Sequence, residues 1–193
     1  MRQIDTEARQ AAFADLVAAR RTNLRVDAER AVPQSLVAEL TRLATWAPNH
    51  KQTWPWRFAA FTGDGRARLG GTVADALAAH GSADVGKIAK TRSKYLRAPL
   101  VLGVGCAPHE NPLFHAENRD AVAAAIQNLL LGATAAGLAS FWGSAPPETH
   151  EAITRFVGWE PGTRVVGLVY LGWPIGDVPV PQRPEPRLEH IRD

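Results

Sequence analysis

Arg20, Arg21 and Thr22 follow one another and combine two guanidinium groups with a hydroxyl. Guanidinium groups bind phosphate through paired planar N–H donors, and a short hydroxyl adds one more donor. A phosphate site is therefore one interpretation of this triplet. The other is a solvated arginine pair that complements the negative end of a preceding helix, and the local sequence alone favours it.

A second stretch, TWAPNHKQTWPW from Thr45 to Trp56, holds three of the six tryptophans, two prolines and His50. Tryptophan offers a broad apolar face together with a polar N–H group. The stretch is either an irregular piece of core or a wall that holds a flat ligand.

Other patterns that resemble known functional motifs fail on spacing. Gly63-Asp64-Gly65 lacks the third glycine of a dinucleotide fingerprint, and its carboxylate would repel a pyrophosphate. Ser144 lacks the second glycine of a nucleophile elbow. His109 and His115 are separated by Asn111-Pro112, so they do not share a helix face as metal ligands would. We therefore expect no metal site and no catalytic side-chain triad.

The composition is that of a globular domain rather than a nucleic-acid or membrane protein. Of 22 basic residues 18 are arginine, but 19 acidic residues are interspersed and no basic run occurs, so no nucleic-acid partner is expected. Cys106 is the single cysteine, which excludes an internal disulfide and indicates a reducing compartment. The polar N-terminus is unlike a secretory signal, and no stretch has the length of a membrane span. We expect a cytoplasmic protein.

Hydrophobic periodicity and turn residues predict the elements that must position these groups. Predicted helices run from Asp5 or Thr6 to Arg20, from Pro33 to Pro48, and over Gly65–Ala79, Ala83–Tyr95, His115–Ala136 and Pro147–Val157. Predicted strands are Trp56–Thr62, Pro99–Cys106, Leu138–Trp142 and Thr163–Leu171. The alternation predicts one α/β domain over residues 1–193, with the helix from His115 central and buried.

The C-terminal segment from 174 to 193 carries five prolines between Pro174 and Pro186. Proline cannot donate to a sheet or continue a helix, so this segment cannot pack as either. We interpret it as an arm that lies over a surface, its own or a partner's.

Five segments, taken in order from about Leu16 to Pro174, resemble the motifs of the FMN-dependent nitroreductase family. They are Arg20–Thr22, Ala47–Lys51 with Trp54–Trp56, the stretch from Glu117 to Asp120 with Gln127–Asn128, Gly137–Ser144, and Val165–Pro174. Each motif is weak alone, and their order makes the resemblance specific. The Ala-Pro-Asn-His-Lys version is similar to the small, compact members.

The resemblance implies an α+β homodimer with a central mixed β-sheet flanked by helices, a long central helix, and FMN at the subunit interface. Arg20 and Thr22 would hold the FMN phosphate and ribityl end, with Arg21 beside them. Trp46 and His50 would reach the flavin from the partner subunit. The remaining contacts, from Trp142, Gly143 and Ser144, would lie along the isoalloxazine ring.

The implied chemistry takes place on the flavin, which explains why no side-chain catalytic group is found. NADH or NADPH would reduce FMN in a ping-pong cycle, and a nitroaromatic, quinone or related acceptor would then take the hydride. An FMN-binding storage or sensor protein, or a relative with other flavin chemistry such as dehalogenation, alkene reduction or flavin cleavage, is the alternative.

Two positions depart from the family pattern. Trp54 stands where the family usually has glutamine, and Trp46 occupies a position that is basic in some close relatives. Trp54 would either narrow the pocket or repack the interface, and Trp46 leaves the choice between NADH and NADPH open. Arg183 and Arg187 in the arm are candidates for a further phosphate contact, and a solvent-exposed arm is an equal alternative.

Overall fold

The computed structural model describes residues 6–81 and 84–191 of the 193-residue chain. The helices are α1 (Thr6–Ala19), α2 (Gln34–Ala44), α3 (Asp64–Ala79), α4 (Val85–Ser93), α5 (Pro112–Ala135) and α6 (His150–Val157). The strands are β1 (Trp56–Phe61), β2 (Leu100–Cys106), β3 (Ala139–Gly143) and β4 (Arg164–Gly172). Short 3₁₀ turns cover His50–Gln52, Lys94–Arg97 and Pro147–Thr149. The α+β class is confirmed.

The four strands form one sheet in the order β1-β2-β4-β3, and every neighbouring pair is antiparallel. The expected mixed sheet is therefore antiparallel in its four strands. Parallel pairing within the described chain is confined to an isolated bridge between Thr22 and Ser140. Because β1 and β3 are the edge strands, three strand spacings, about 14 Å, separate them.

Helices cover both faces of the sheet, so the central strand β2 is buried along its whole length. Its even-numbered residues from Leu100 to Cys106 pack with α2 and α5, whereas Val101 packs with α3 and α6. The apolar run in the sequence reflects this two-sided burial. Gly105 leaves room for the Trp159 ring, since a Cβ at this position would lie 2.7 Å from a ring carbon.

Helix α5 is the central helix that the sequence predicts, but it begins at Pro112 rather than His115. The side chain of Asn111 accepts a hydrogen bond from the Leu113 N–H at 2.9 Å, and Pro112 occupies the first turn. An N-cap followed by proline is a standard helix start. The prediction missed it because it treated Asn111-Pro112 as an interruption.

The arm is anchored at its beginning and exposed afterwards. The N–H of Asp27 donates to the Trp173 carbonyl at 2.9 Å, and the N–H of Ile175 donates to the Arg25 carbonyl at 3.0 Å. The Asn23 amide donates to the Gly176 carbonyl at 3.2 Å. From 179 to 191 every residue is exposed. The first part therefore lies on this chain's own surface.

Candidate functional site

The structure brings the arginine triplet beside the third strand, although about 120 residues separate them in the sequence. Thr22 forms the bridge to Ser140, and the Asn23 N–H donates to the Ser140 carbonyl at 2.8 Å. The Arg20 N–H donates to the Leu16 carbonyl at 3.2 Å and so continues the last turn of α1, while Thr22 is exposed where it meets the sheet. The first and fourth motifs thus form one surface.

Arg21 points back to its own helix. Its guanidinium donates to the carbonyls of Ala18 and Arg20, the latter at 2.8 Å, where the end of α1 leaves acceptors unpaired. Its Nε is buried and has no hydrogen-bond partner among the described residues. Arg21 also lines two cavities of about 500 and 630 Å³ beneath the arm, the second shared with Arg183.

Trp142 lies across the neighbouring strand β4 with 39% of its surface exposed. Its Nε1 donates to the Val166 carbonyl at 3.3 Å. Gly167 lies beneath the indole, where a Cβ would be 2.5 Å from Nε1. Next to it, Gly143 ends the β3 ladder opposite Leu168, and Ser144 follows as an exposed residue. This edge of the sheet therefore presents an aromatic face followed by a loop that can offer backbone donors.

Trp46 and His50 lie elsewhere in the same chain. Trp46 follows α2 and is 77% exposed. His50 opens the short turn that leads into β1, so it belongs to the edge of the sheet opposite Thr22 and Trp142. Its Nδ1 lies 2.7 Å from the Glu117 carboxylate. Within one chain, the structure does not bring the two halves of the predicted site together.

The loop that carries His50 has a strained backbone. Lys51, Gln52 and Trp54 have φ values of 59°, 53° and 50°, and they are the non-glycine residues with positive φ in the described chain. Side chains with a Cβ disfavour this conformation by roughly 1 kcal/mol or more each. Trp54 is 56% exposed and packs edge-on against Trp56.

A polar network centred on one buried asparagine holds this loop, and the sequence reasoning assigned no role to its members. The Asn49 side chain accepts the Trp54 N–H at 2.9 Å. Asn118, which is 3% exposed, accepts hydrogen bonds from the Thr53 hydroxyl and, at 3.4 Å, from the Asn49 amide. Asn118 shares the helical face of Ala121, Ala125 and other buried α5 residues. An asparagine at the spacing of the buried helix face could have indicated this network from the sequence, because a buried amide needs hydrogen-bond partners.

A second pair anchors the exit of the loop. Arg57 Nε donates to both carboxylate oxygens of Glu160 at 3.0 and 2.9 Å. Its Nη1 donates to the carbonyls of Trp54 at 3.2 Å and Trp56 at 3.0 Å. The hydrogen bonds from Arg57 lower the pKa of Glu160 from 4.5 to about 2. One guanidinium therefore ties the loop to the segment before β4.

Residues set aside in the sequence stay outside this site. Cys106 is fully buried, and burial raises the pKa of its thiol to about 11. A thiol in that state is a poor nucleophile. Within residues 6–81 and 84–191, no group of three histidine, cysteine or acidic residues could hold a metal ion. No helix in these same ranges is long and apolar enough to cross a membrane.

The arginine–hydroxyl segment thus lies beside the strand that carries the exposed Trp142. The sequence profile described as the nitroreductase family matches residues 17–173. The chain therefore belongs to the nitroreductase family.

Individual relatives support this family assignment. A protein of Escherichia coli K12 whose name describes an NAD(P)H nitroreductase, YdjA, is 29% identical over 148 residues, covering 76% of this chain and 80% of its own. A Bacillus subtilis protein with a similar description, YfhC, is 27% identical over 163 residues, 83% of each chain. The crystal structure of a nitroreductase-like family protein from Bacillus cereus superposes with a TM-score of 0.74 at 30% identity, covering 90% of each chain.

A more distant structure supports the fold. A nitroreductase with bound FMN from Bacteroides fragilis superposes with a TM-score of 0.74 at 22% identity, covering 93% of this chain and 98% of that one.

Proposed function

We propose that the protein is an FMN-dependent oxidoreductase that takes electrons from NADH or NADPH and passes them to a nitroaromatic, quinone or related electrophilic acceptor in a ping-pong cycle. The observation that carries the proposal is the Thr22–Ser140 bridge, which joins the arginine triplet to the strand that ends at Trp142 and Gly143. When bound, FMN supplies the hydride chemistry.

The described residues fit this cofactor. Arg20, which is partly exposed, and Thr22, which is exposed, would hold its phosphate and ribityl end. The exposed indole of Trp142 offers an apolar face to the ring system, and the loop from Gly143 to Ser144 would offer N–H donors to its polar edge. Arg21 fixes the end of α1 in this arrangement, and its unpartnered Nε–H is a donor that a further acceptor would satisfy.

The working site takes residues from two chains of a homodimer. His50 and the Arg20–Thr22 segment belong to opposite edges of the sheet, about 14 Å apart, and this separation favours a site whose parts come from two chains. A second copy supplies Trp46 and His50 across the interface. The apolar surface of α1, which contributes no buried residue in the single chain, gives such an interface an apolar component.

Purified protein should be yellow, with about one FMN per chain. It should oxidise NADH or NADPH when a nitroaromatic or a quinone is present. Colourless protein that takes up no added FMN would contradict the proposal.

Trp54 favours a second candidate, an FMN-binding protein without turnover. Its exposed indole lies on the same loop as His50 and would narrow the approach to a flavin there. Anaerobic stopped-flow mixing with NADH and with NADPH separates the two candidates. Rapid bleaching of the flavin by either donor supports the oxidoreductase, and a flavin that stays oxidised supports the binding protein.

A further inference from the structure

The strained loop and the first turns of α5 form one unit around His50. Left-handed backbone at three non-glycine residues persists when the surroundings hold it, and such strain gathers at functional sites. Here the surroundings are specific side chains. Asn118 holds Thr53 and Asn49, and Asn49 holds the N–H of Trp54. Side-chain hydrogen bonds thus tie the residues on both sides of His50 to α5.

The residue before Asn118 fixes the His50 ring itself. The Glu117 carboxylate lies 2.7 Å from Nδ1, and the Phe114 ring packs edge-on against the imidazole with centroids 5.6 Å apart. An ionised carboxylate can only accept, so Nδ1 must carry the proton. In the neutral imidazole Nε2 then has a lone pair. Nε2 has no hydrogen-bond partner among the described residues, and 53% of the His50 side chain is exposed.

We propose that Glu117 is a positioning residue for His50. It selects the Nδ1–H tautomer, so Nε2 presents a hydrogen-bond acceptor to an N–H or O–H group of a substrate bound at the site. Of the reactants in the proposed cycle, the nicotinamide has such a donor, in the N–H of its carboxamide, whereas a quinone acquires one only as the hydroquinone product. This role rests on the proposed oxidoreductase function, because it assigns His50 to the same shared site.

The tautomer can be measured without turnover. Long-range ¹H–¹⁵N correlation spectra of labelled full-length protein, recorded at about pH 8.5, distinguish the two tautomers. The His50 signals are assigned by their loss in His50→Gln. We expect the wild type to show His50 as the Nδ1–H form and Glu117→Gln to show a mixture, because an amide can both donate and accept. Glu110→Gln, an exposed neighbour that makes no contact with His50, should leave the spectrum unchanged.

Kinetics then test the role in binding. Glu117→Gln should raise KM for the nicotinamide by about fivefold to tenfold, the size of one hydrogen bond, while Glu117→Asp should retain part of the wild-type affinity. The proposal is overturned if the tautomer is the same in wild type and Glu117→Gln, or if KM for the nicotinamide does not change. A protein that binds no flavin would instead contradict the proposed function, and the tautomer spectrum would still report on Glu117. Thermal unfolding of each variant verifies that the fold is intact.

Discussion

At the scale of single residues, buried and partly buried polar side chains organise the candidate site. Asn118 is the clearest example, since its amide lies on the buried face of α5 and still finds two partners in the His50 loop. Leaving such partners unsatisfied costs roughly 1–3 kcal/mol, so the network specifies one loop conformation. Arg57 has the corresponding role at the exposed end of that loop.

Arg20→Ala should weaken FMN binding by roughly 2 kcal/mol, or about 30-fold, because it removes a charge-assisted contact to phosphate. Arg42→Ala, an equal loss of charge on the exposed side of α2, is the matched control. Flavin fluorescence titration of both variants measures the difference. Equal affinity in wild type and Arg20→Ala would place the phosphate elsewhere.

Glu160 gives a prediction for pH. Because Arg57 lowers its pKa from 4.5 to about 2, the pair stabilises the fold fully above the ordinary pKa, and this stabilisation is lost as the pH falls towards 2. The Glu160 side chain is 49% exposed, so we expect less than about 1 kcal/mol. The difference in unfolding free energy between wild type and Glu160→Gln should therefore shrink on acidification. Urea titrations at several pH values measure it, and a constant difference would contradict the assignment.

At the scale of elements, the crossing of α3 and α4 explains a feature that weakened the helix prediction. Gly70 and Gly71 disfavour a helix because glycine loses more backbone entropy than alanine. In the structure α4 crosses α3 there, and a Cβ on Gly70 would lie 2.1 Å from the Arg92 carbonyl oxygen. A Cβ on the neighbouring Gly71 would have its nearest atom at 3.9 Å. Gly70 thus permits the close approach of the two helices.

This contrast predicts opposite effects for two adjacent substitutions. Gly70→Ala should destabilise the protein by about 2 kcal/mol or more, because a backbone carbonyl cannot move aside cheaply. Gly71→Ala should stabilise it by about 0.5–1 kcal/mol, since the helix gains alanine without a clash. Chemical denaturation of both variants measures the pair. Equal effects of the same sign would show that α4 does not approach as closely as described.

At the scale of the whole molecule, a single chain leaves too much of its apolar surface uncovered. Helix α1 has no buried residue, and Phe13 and Val17 are 59% and 42% exposed. A helix of this length is marginal in water unless it packs against something. Trp46 and Trp142 add exposed aromatic surface at the two edges of the sheet. A second copy would cover such surface and complete the site.

Shared sites predict complementation between inactive chains. The protein should elute as a dimer, and homodimers of Arg20→Ala or of Trp46→Ala should each be impaired at both sites. A mixed dimer of these two variants contains one site with both changes and one intact site, so it should regain about half of wild-type activity. Differently tagged chains, refolded together and purified by both tags, test this. A mixed dimer without recovery would show that each site is built within one chain.

The sequence could predict those parts of the fold that depend on local periodicity. The buried strand β2, the long helix α5 and the position of α6 could be predicted without knowing what they pack against. The spacing of apolar residues along an element reflects which of its faces are buried. The order of the five sequence motifs also predicted the protein family. Element boundaries were less certain where a cap decides them, as at Asn111 before α5.

Only the tertiary structure decided which of these residues meet. Thr22 lies against Ser140 and His50 against Glu117 because of how the chain crosses the sheet, which no local pattern encodes. The positive φ angles in the Lys51–Trp54 loop likewise arise from side chains of α5 and β1 that oppose the local preference. The sequence thus determined the elements and the chemical groups, while long-range packing determined their geometry, since contact between distant residues depends on the whole fold.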